Sequence, residues 1–137
     1  MGAWGYHTFE DDTTCDWLSS LYEAEDPRGF LISSLKPGQD DSPLDYLDCS
    51  SILGASETVF SLLYHFRDNP PAEFKEWIQN HQNLPVTDLK NDCIQSLRRV
   101  LSEDSELSEI WSDSGEDYQG YKIWRSNIDE MIKTFES

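Results

Sequence analysis

From Tyr121 to Phe135 the apolar residues Tyr121, Trp124, Ile128, Met131 and Phe135 step by 3, 4, 3 and 4. That spacing puts all five on one side of an α-helix, because about 3.6 residues complete a turn. The same rhythm recurs upstream. Thr14, Trp17, Leu18, Leu21 and Tyr22 form one stripe, and Leu89, Cys93, Leu97, Val100 and Leu101 form another. No segment alternates apolar and polar residues as a half-buried strand does. The chain is therefore expected to be all-α, a compact multi-helix array of six or seven helices in a single domain, residues 1–137.

Local signals place the helix ends. Thr8 or Asp11 can cap the first helix, whose opening turn carries acids of the sign that the helix dipole favours. Asp26-Pro27 reads as an N-cap followed by proline at the first helical position. A short helix with Phe30, Leu31 and Leu35 then stops at Lys36-Pro37-Gly38. From about Leu44 to Phe66 a longer helix, with a possible break, is apolar around much of its circumference, so it belongs at the centre of the array. Gly54, Ala55 and Ser56 would let a neighbouring helix approach it closely. Phe74, Trp77 and Ile78 mark a further helix. Asp104 is read as the cap of a short one bearing Leu107, Ile110 and Trp111, broken at Ser114-Gly115. Trp4 and Tyr6 in the glycine-containing lead can pin an N-terminal arm.

The charge narrows function. Twenty-seven acidic residues stand against ten basic ones, a net charge of -17. The excess runs through both halves of the chain. Such a field repels phosphate backbones, so nucleic acid and anionic membranes are poor partners. It attracts basic proteins and speeds their encounter. The three cysteines, Cys15, Cys49 and Cys93, have no C-x-x-C spacing and sit among apolar neighbours, which predicts buried free thiols in a reducing compartment. No apolar run approaches the ~18 residues of a membrane span. Met1-Gly2 is followed by Tyr6 where a myristoylation signal has Ser or Thr. A cytoplasmic location is expected.

Catalysis finds little support. Of the histidines, His7 lies in the aromatic lead, His65 is read as a partly buried structural residue, and His81 falls at a helix end. No phosphate-binding glycine loop, H-E-x-x-H or G-x-S-x-G occurs. Asp12 and Asp16, one helical turn apart, could share a proton or a metal, but a cap and a surface charge account for them. Asp40, Asp41, Asp45 and Asp48, and the acids from Asp113 to Asp117, lack the ligand order of a calcium loop. No metal, no cofactor and no enzymatic activity are expected.

The run from Glu103 to Tyr118 is the candidate docking surface, with seven acids and no base. Leu107, Ile110 and Trp111 share one helix face, leaving Glu106, Glu109 and Asp113 on another. The partner-binding residues predicted are Glu103, Asp104, Glu106, Glu109, Asp113, Glu116, Asp117 and Tyr118. Carboxylates at helical spacing grip Arg and Lys, and Arg–carboxylate forks add specificity.

The opening Met1-Gly2-Ala3-Trp4-Gly5, then Phe9-Glu10-Asp11-Asp12 and Asp16-Trp17-Leu18, resembles a family of small bacterial proteins known only as domain of unknown function 4259. Asp104-Ser105-Glu106-Leu107 followed by Ile110-Trp111 is similar to a second stretch of that family's pattern. Cys15 stands where a plain apolar residue is usual, and Tyr6-His7 are this chain's own variation. The resemblance implies a bacterial, cytosolic, α-helical protein and supplies no activity or catalytic residues.

Together these features predict a non-catalytic acidic binding protein, an immunity-type antidote that caps a basic partner such as a nuclease toxin domain. The alternative is a regulatory or accessory protein that takes a peptide or small ligand in a groove between helices, near Trp4, Tyr6 and Trp17.

Overall fold

The computed structural model describes residues 8–9, 11–67, 70–112 and 118–137. Among them are seven α-helices: α1 Asp12–Glu23, α2 Pro27–Leu35, α3 Tyr46–Leu63, α4 Ala72–Asn80, α5 Lys90–Val100, α6 Glu106–Ser112 and α7 Tyr118–Glu136. Two 3-10 turns, Lys36–Gln39 and Thr87–Leu89, follow α2 and precede α5. The described residues form no strand. The protein is all-α, as the 3–4 spacing predicts.

α3 is the axis. Every residue from Ile52 to Phe60 is buried, and α1, α2 and α5 pack around it. Its glycine is needed for that. A Cβ on Gly54 would lie 2.5 Å from the Trp17 ring of α1, closer than real contacts allow. Trp17 is buried in this seam, and its indole N–H donates to Ser34 Oγ of α2 at 2.9 Å. The end of α2 and the 3-10 turn after it are tied to α5 similarly. A Cβ on Gly38 would fall 2.7 Å from Ser96 Cα, and Ser96 Oγ donates to Leu35 O at 3.1 Å. α7 closes the core from the other side with Trp124, Ile128, Met131, Ile132 and Phe135, all buried.

One buried ion pair crosses this packing. Arg67, just past α3, donates to Glu57 Oε1 at 2.9 Å, and its second amino group donates to Asn127 O of α7 at 2.7 Å. The two side chains are 11% and 7% exposed, so the pair is largely out of water. Thr8 Oγ1 donates to the same Glu57 oxygen at 2.7 Å, which fixes the start of the described chain to α3.

Several expectations need correction. α3 runs unbroken from Tyr46 to Leu63 rather than from Leu44 to Phe66. Leu44 is drawn away from the helix because its backbone pairs with the chain before α6. Its N–H donates to Asp104 O at 3.0 Å, and its carbonyl accepts from Glu106 N at 2.8 Å. α6 is capped by Ser105, not Asp104: Ser105 Oγ accepts from Ser108 N at 3.2 Å. His65 is exposed, with its ring edge-on to Phe60, because the helix has already ended before it. Cys49 and Cys93 are buried free thiols, but Cys15 is only half-buried, its thiol donating to Phe9 O. Asp11 caps α1, accepting from the N–H groups of Thr13 and Thr14. Trp4, Tyr6 and His7 lie outside the described residues.

Candidate functional site

The predicted docking stretch begins where α5 ends. Leu107 and Ser108 are buried, Ile110 and Trp111 are half-buried, and Trp111 stacks on Trp124 of α7 with ring centroids 5.9 Å apart. The apolar side of α6 thus faces the core, which turns Glu106 and Glu109 outward, and Glu103 and Asp104, ahead of the helix, are exposed as well. Asp113, Glu116 and Asp117 lie outside the described residues. Tyr118 begins α7, and its side chain also lies outside what is described.

The structure adds an opposing wall that α6 alone does not suggest. The isolated parallel bridge between Leu44 and Ser105 brings the segment before α3 alongside the segment before α6. Pro43, Leu44, Asp45, Asp104, Glu106, Glu109 and Ile110 line an open cleft of about 530 Å³. Four of these seven side chains are carboxylates, and none is a base. Asp45 is the residue that docking-stretch reasoning missed. Its polar loop and its place ahead of an apolar helix mark it as an N-cap, but only the pairing of Leu44 places it across from Glu106.

The walls are fixed rather than loose. Asp45 and Asp48 form a capping box: Asp48 N donates to Asp45 Oδ1 at 2.8 Å, and Asp45 N donates to Asp48 Oδ2 at 3.3 Å. Partial burial pushes the Asp48 carboxyl above its ordinary range, against the bond from Asp45 N, which pulls it down. Glu106 reaches across the cleft and accepts from Tyr46 N at 3.0 Å. A carboxylate from α6 thereby meets the positive end of α3. Tyr46 in turn donates from its hydroxyl to Asp11, the cap of α1. Burial first, and that bond second, raise the Tyr46 phenol well above its ordinary value. One chain of contacts therefore links the starts of α6, α3 and α1.

Charge is unevenly shared. α5 and α7 hold six of the ten basic residues and four of the 27 acidic ones, a surplus of two positive charges. The remainder of the chain carries 23 acids and four bases. Its surplus of 19 negative charges exceeds the net charge of the whole protein. The acidic cleft belongs to that remainder.

The groups with chemistry of their own are held in structural contacts. His81 Nδ1 lies 2.6 Å from Trp77 O, and its ring stacks on Trp77 with centroids 3.9 Å apart. Burial pushes the Cys93 thiol up to about 12 and also raises Cys49, disfavouring the thiolates that nucleophilic chemistry needs. Asp12 and Asp16 are both exposed on α1. Among the described residues no three His, Cys, Asp or Glu side chains are grouped to hold a metal ion. Among the same residues no helix is long and apolar enough to cross a membrane.

No curated protein and no solved structure matches this chain. Residues 2–126 match the family described as a domain of unknown function, DUF4259. The matched span covers the acidic cleft and ends within α7, whose later residues Met131 and Phe135 complete the core. The chain belongs to the DUF4259 family.

Proposed function

We propose that this chain is a non-catalytic binding protein that caps a basic protein, and more specifically an immunity-type antidote acting in the cytoplasm on a toxin domain such as a nuclease. The observation that carries the reading is the cleft in which Asp45, Asp104, Glu106 and Glu109 face outward without a basic residue among the lining. Nucleic-acid enzymes present clefts rich in Arg and Lys, and a fixed array of carboxylates complements such a surface without performing chemistry. The hydrogen bonds that hold Asp45, Asp48 and Glu106 support it further, since ordered carboxylates lose less freedom on binding.

The test is binding to a basic nuclease domain, the first choice being one encoded by a neighbouring gene if such a gene exists, measured at about 0.01 M and about 1 M salt, between which the screening length falls from ~30 Å to ~3 Å. Affinity is expected to fall steeply across that range. Glu103→Lys combined with Asp104→Lys should weaken it by about tenfold or more, because each reversal turns an attraction into a repulsion. These positions suit the test because both side chains are exposed. Binding that is absent, or that ignores both salt and the reversals, contradicts the reading.

A further inference from the structure

Away from the acidic cleft, a second pocket contains a buried cation whose hydrogen-bonding capacity the fold does not fully use. The Arg67 side chain is only 11% exposed. A guanidinium carries five N–H donors. Nη1 donates to Glu57 Oε1 at 2.9 Å and lies 3.6 Å from Met131 Sδ, and Nη2 donates to Asn127 O at 2.7 Å. The Nε–H and one N–H of Nη2 meet no acceptor among the described residues. Donors this far from bulk water are normally satisfied.

Arg67 lines a pocket of about 340 Å³, at the small end of the range for ligand sites. Phe60, His65, Phe66 and Arg67 line it from the end of α3 and the segment after it, and Asn127, Glu130 and Thr134 line it from α7. Glu130 stands one helical turn beyond Asn127, the residue whose carbonyl Arg67 holds. It is exposed and pairs with no cation among the described residues. Phe60 is buried and Phe66 half-buried, and both give the pocket apolar surface. Donors for a carboxylate, an acceptor for an ammonium and aromatic rings therefore share one pocket. The net charge narrows the ligand further. A field of -17 repels a simple anion, whereas a zwitterion carries no net charge and meets no such barrier.

We infer that this pocket binds a small zwitterion, an α-amino acid with an apolar side chain. Its carboxylate accepts from Arg67, its ammonium donates to Glu130, and its side chain lies against Phe60 and Phe66. Hydrogen bonds in which both partners are charged are the strong ones, so the two ends of the ligand carry the recognition. The pocket shares no lining residue with the acidic cleft, and the inference does not depend on the capping role.

Replacing Arg67 would strand the Glu57 charge, so the test varies the ligand instead. L-leucine, L-leucinamide and N-acetyl-L-leucine are titrated into the full chain and followed by calorimetry. Leucinamide lacks the carboxylate and N-acetylleucine lacks the ammonium, and each is expected to bind about tenfold more weakly than leucine. Glu130→Gln should weaken leucine by about tenfold and leave N-acetylleucine unchanged, since the interaction it removes is already absent there. Because Glu130 is exposed, this variant should melt with the parent, which circular dichroism checks. Leucine that does not bind, either analogue binding as well as leucine, or a Glu130→Gln effect equal on leucine and N-acetylleucine overturns the inference and leaves the capping proposal standing.

Discussion

The most telling single residue for stability is Arg67. Its guanidinium lies among Glu57, Asn127 O and the Phe60 ring, 5.7 Å from the ring centroid, in a region with little water. Removing one member of a buried pair leaves the other charge uncompensated, which costs more than the pair itself contributes. Arg67→Met should therefore lower unfolding free energy by about 3 kcal/mol in denaturant titration. Adding Glu57→Gln to Arg67→Met should recover part of that loss, since the stranded charge is then gone. A double variant no better than the single one would mean that the pair matters through shape and not through charge. Residue identity alone gave no warning of this pair. Glu57 sits in the most apolar helix of the chain, and its partner lies ten residues on, beyond the helix end.

At the scale of elements, the joint between α1 and α3 is set by the absence of a side chain. Gly54 faces the Trp17 ring so closely that a methyl group has no room. Trp17 cannot retreat without giving up its bond to Ser34. Gly54→Ala should thus destabilise the fold by about 1–3 kcal/mol despite alanine's better helix propensity. A thermal melt unchanged or raised by this substitution would show that the helices can separate at little cost. The close approach at this glycine was readable in the sequence, as were the helix periods, the cap at Asp26 and, as one of two candidates with Thr8, the cap at Asp11, because each depends on neighbours within a turn or two. What was not readable depends on distant partners. Leu44 leaves the helix to pair with Ser105, which is 61 residues away. That pairing makes Ser105 the cap of α6 and moves Asp45 to the facing wall of the cleft. The outward turn of Glu106 and Glu109 followed from the buried side of α6, but the concavity they share with Asp45 and Asp104 did not.

For the whole molecule the governing quantity is where the charge lies. Six of ten cations sit on α5 and α7, and the rest of the chain is left with a surplus of 19 negative charges. A basic partner approaching such a body is drawn to its acidic helices and away from α5 and α7, which raises the productive share of encounters. The hydrogen bonds linking the starts of α1, α3 and α6 through Asp11, Tyr46 and Glu106 then present a fixed surface to it. Under the proposed capping role, the acidic cleft, and not negative charge in general, receives the partner. The most direct measurement is a backbone amide NMR titration of the full chain with the basic domain found to bind it, at moderate salt. Shifts are expected to concentrate at residues 43–48 and 103–110, with the acidic surface of α1 and α4 little changed. Shifts spread evenly over every acidic helix, or gathered on α5 and α7, would contradict it.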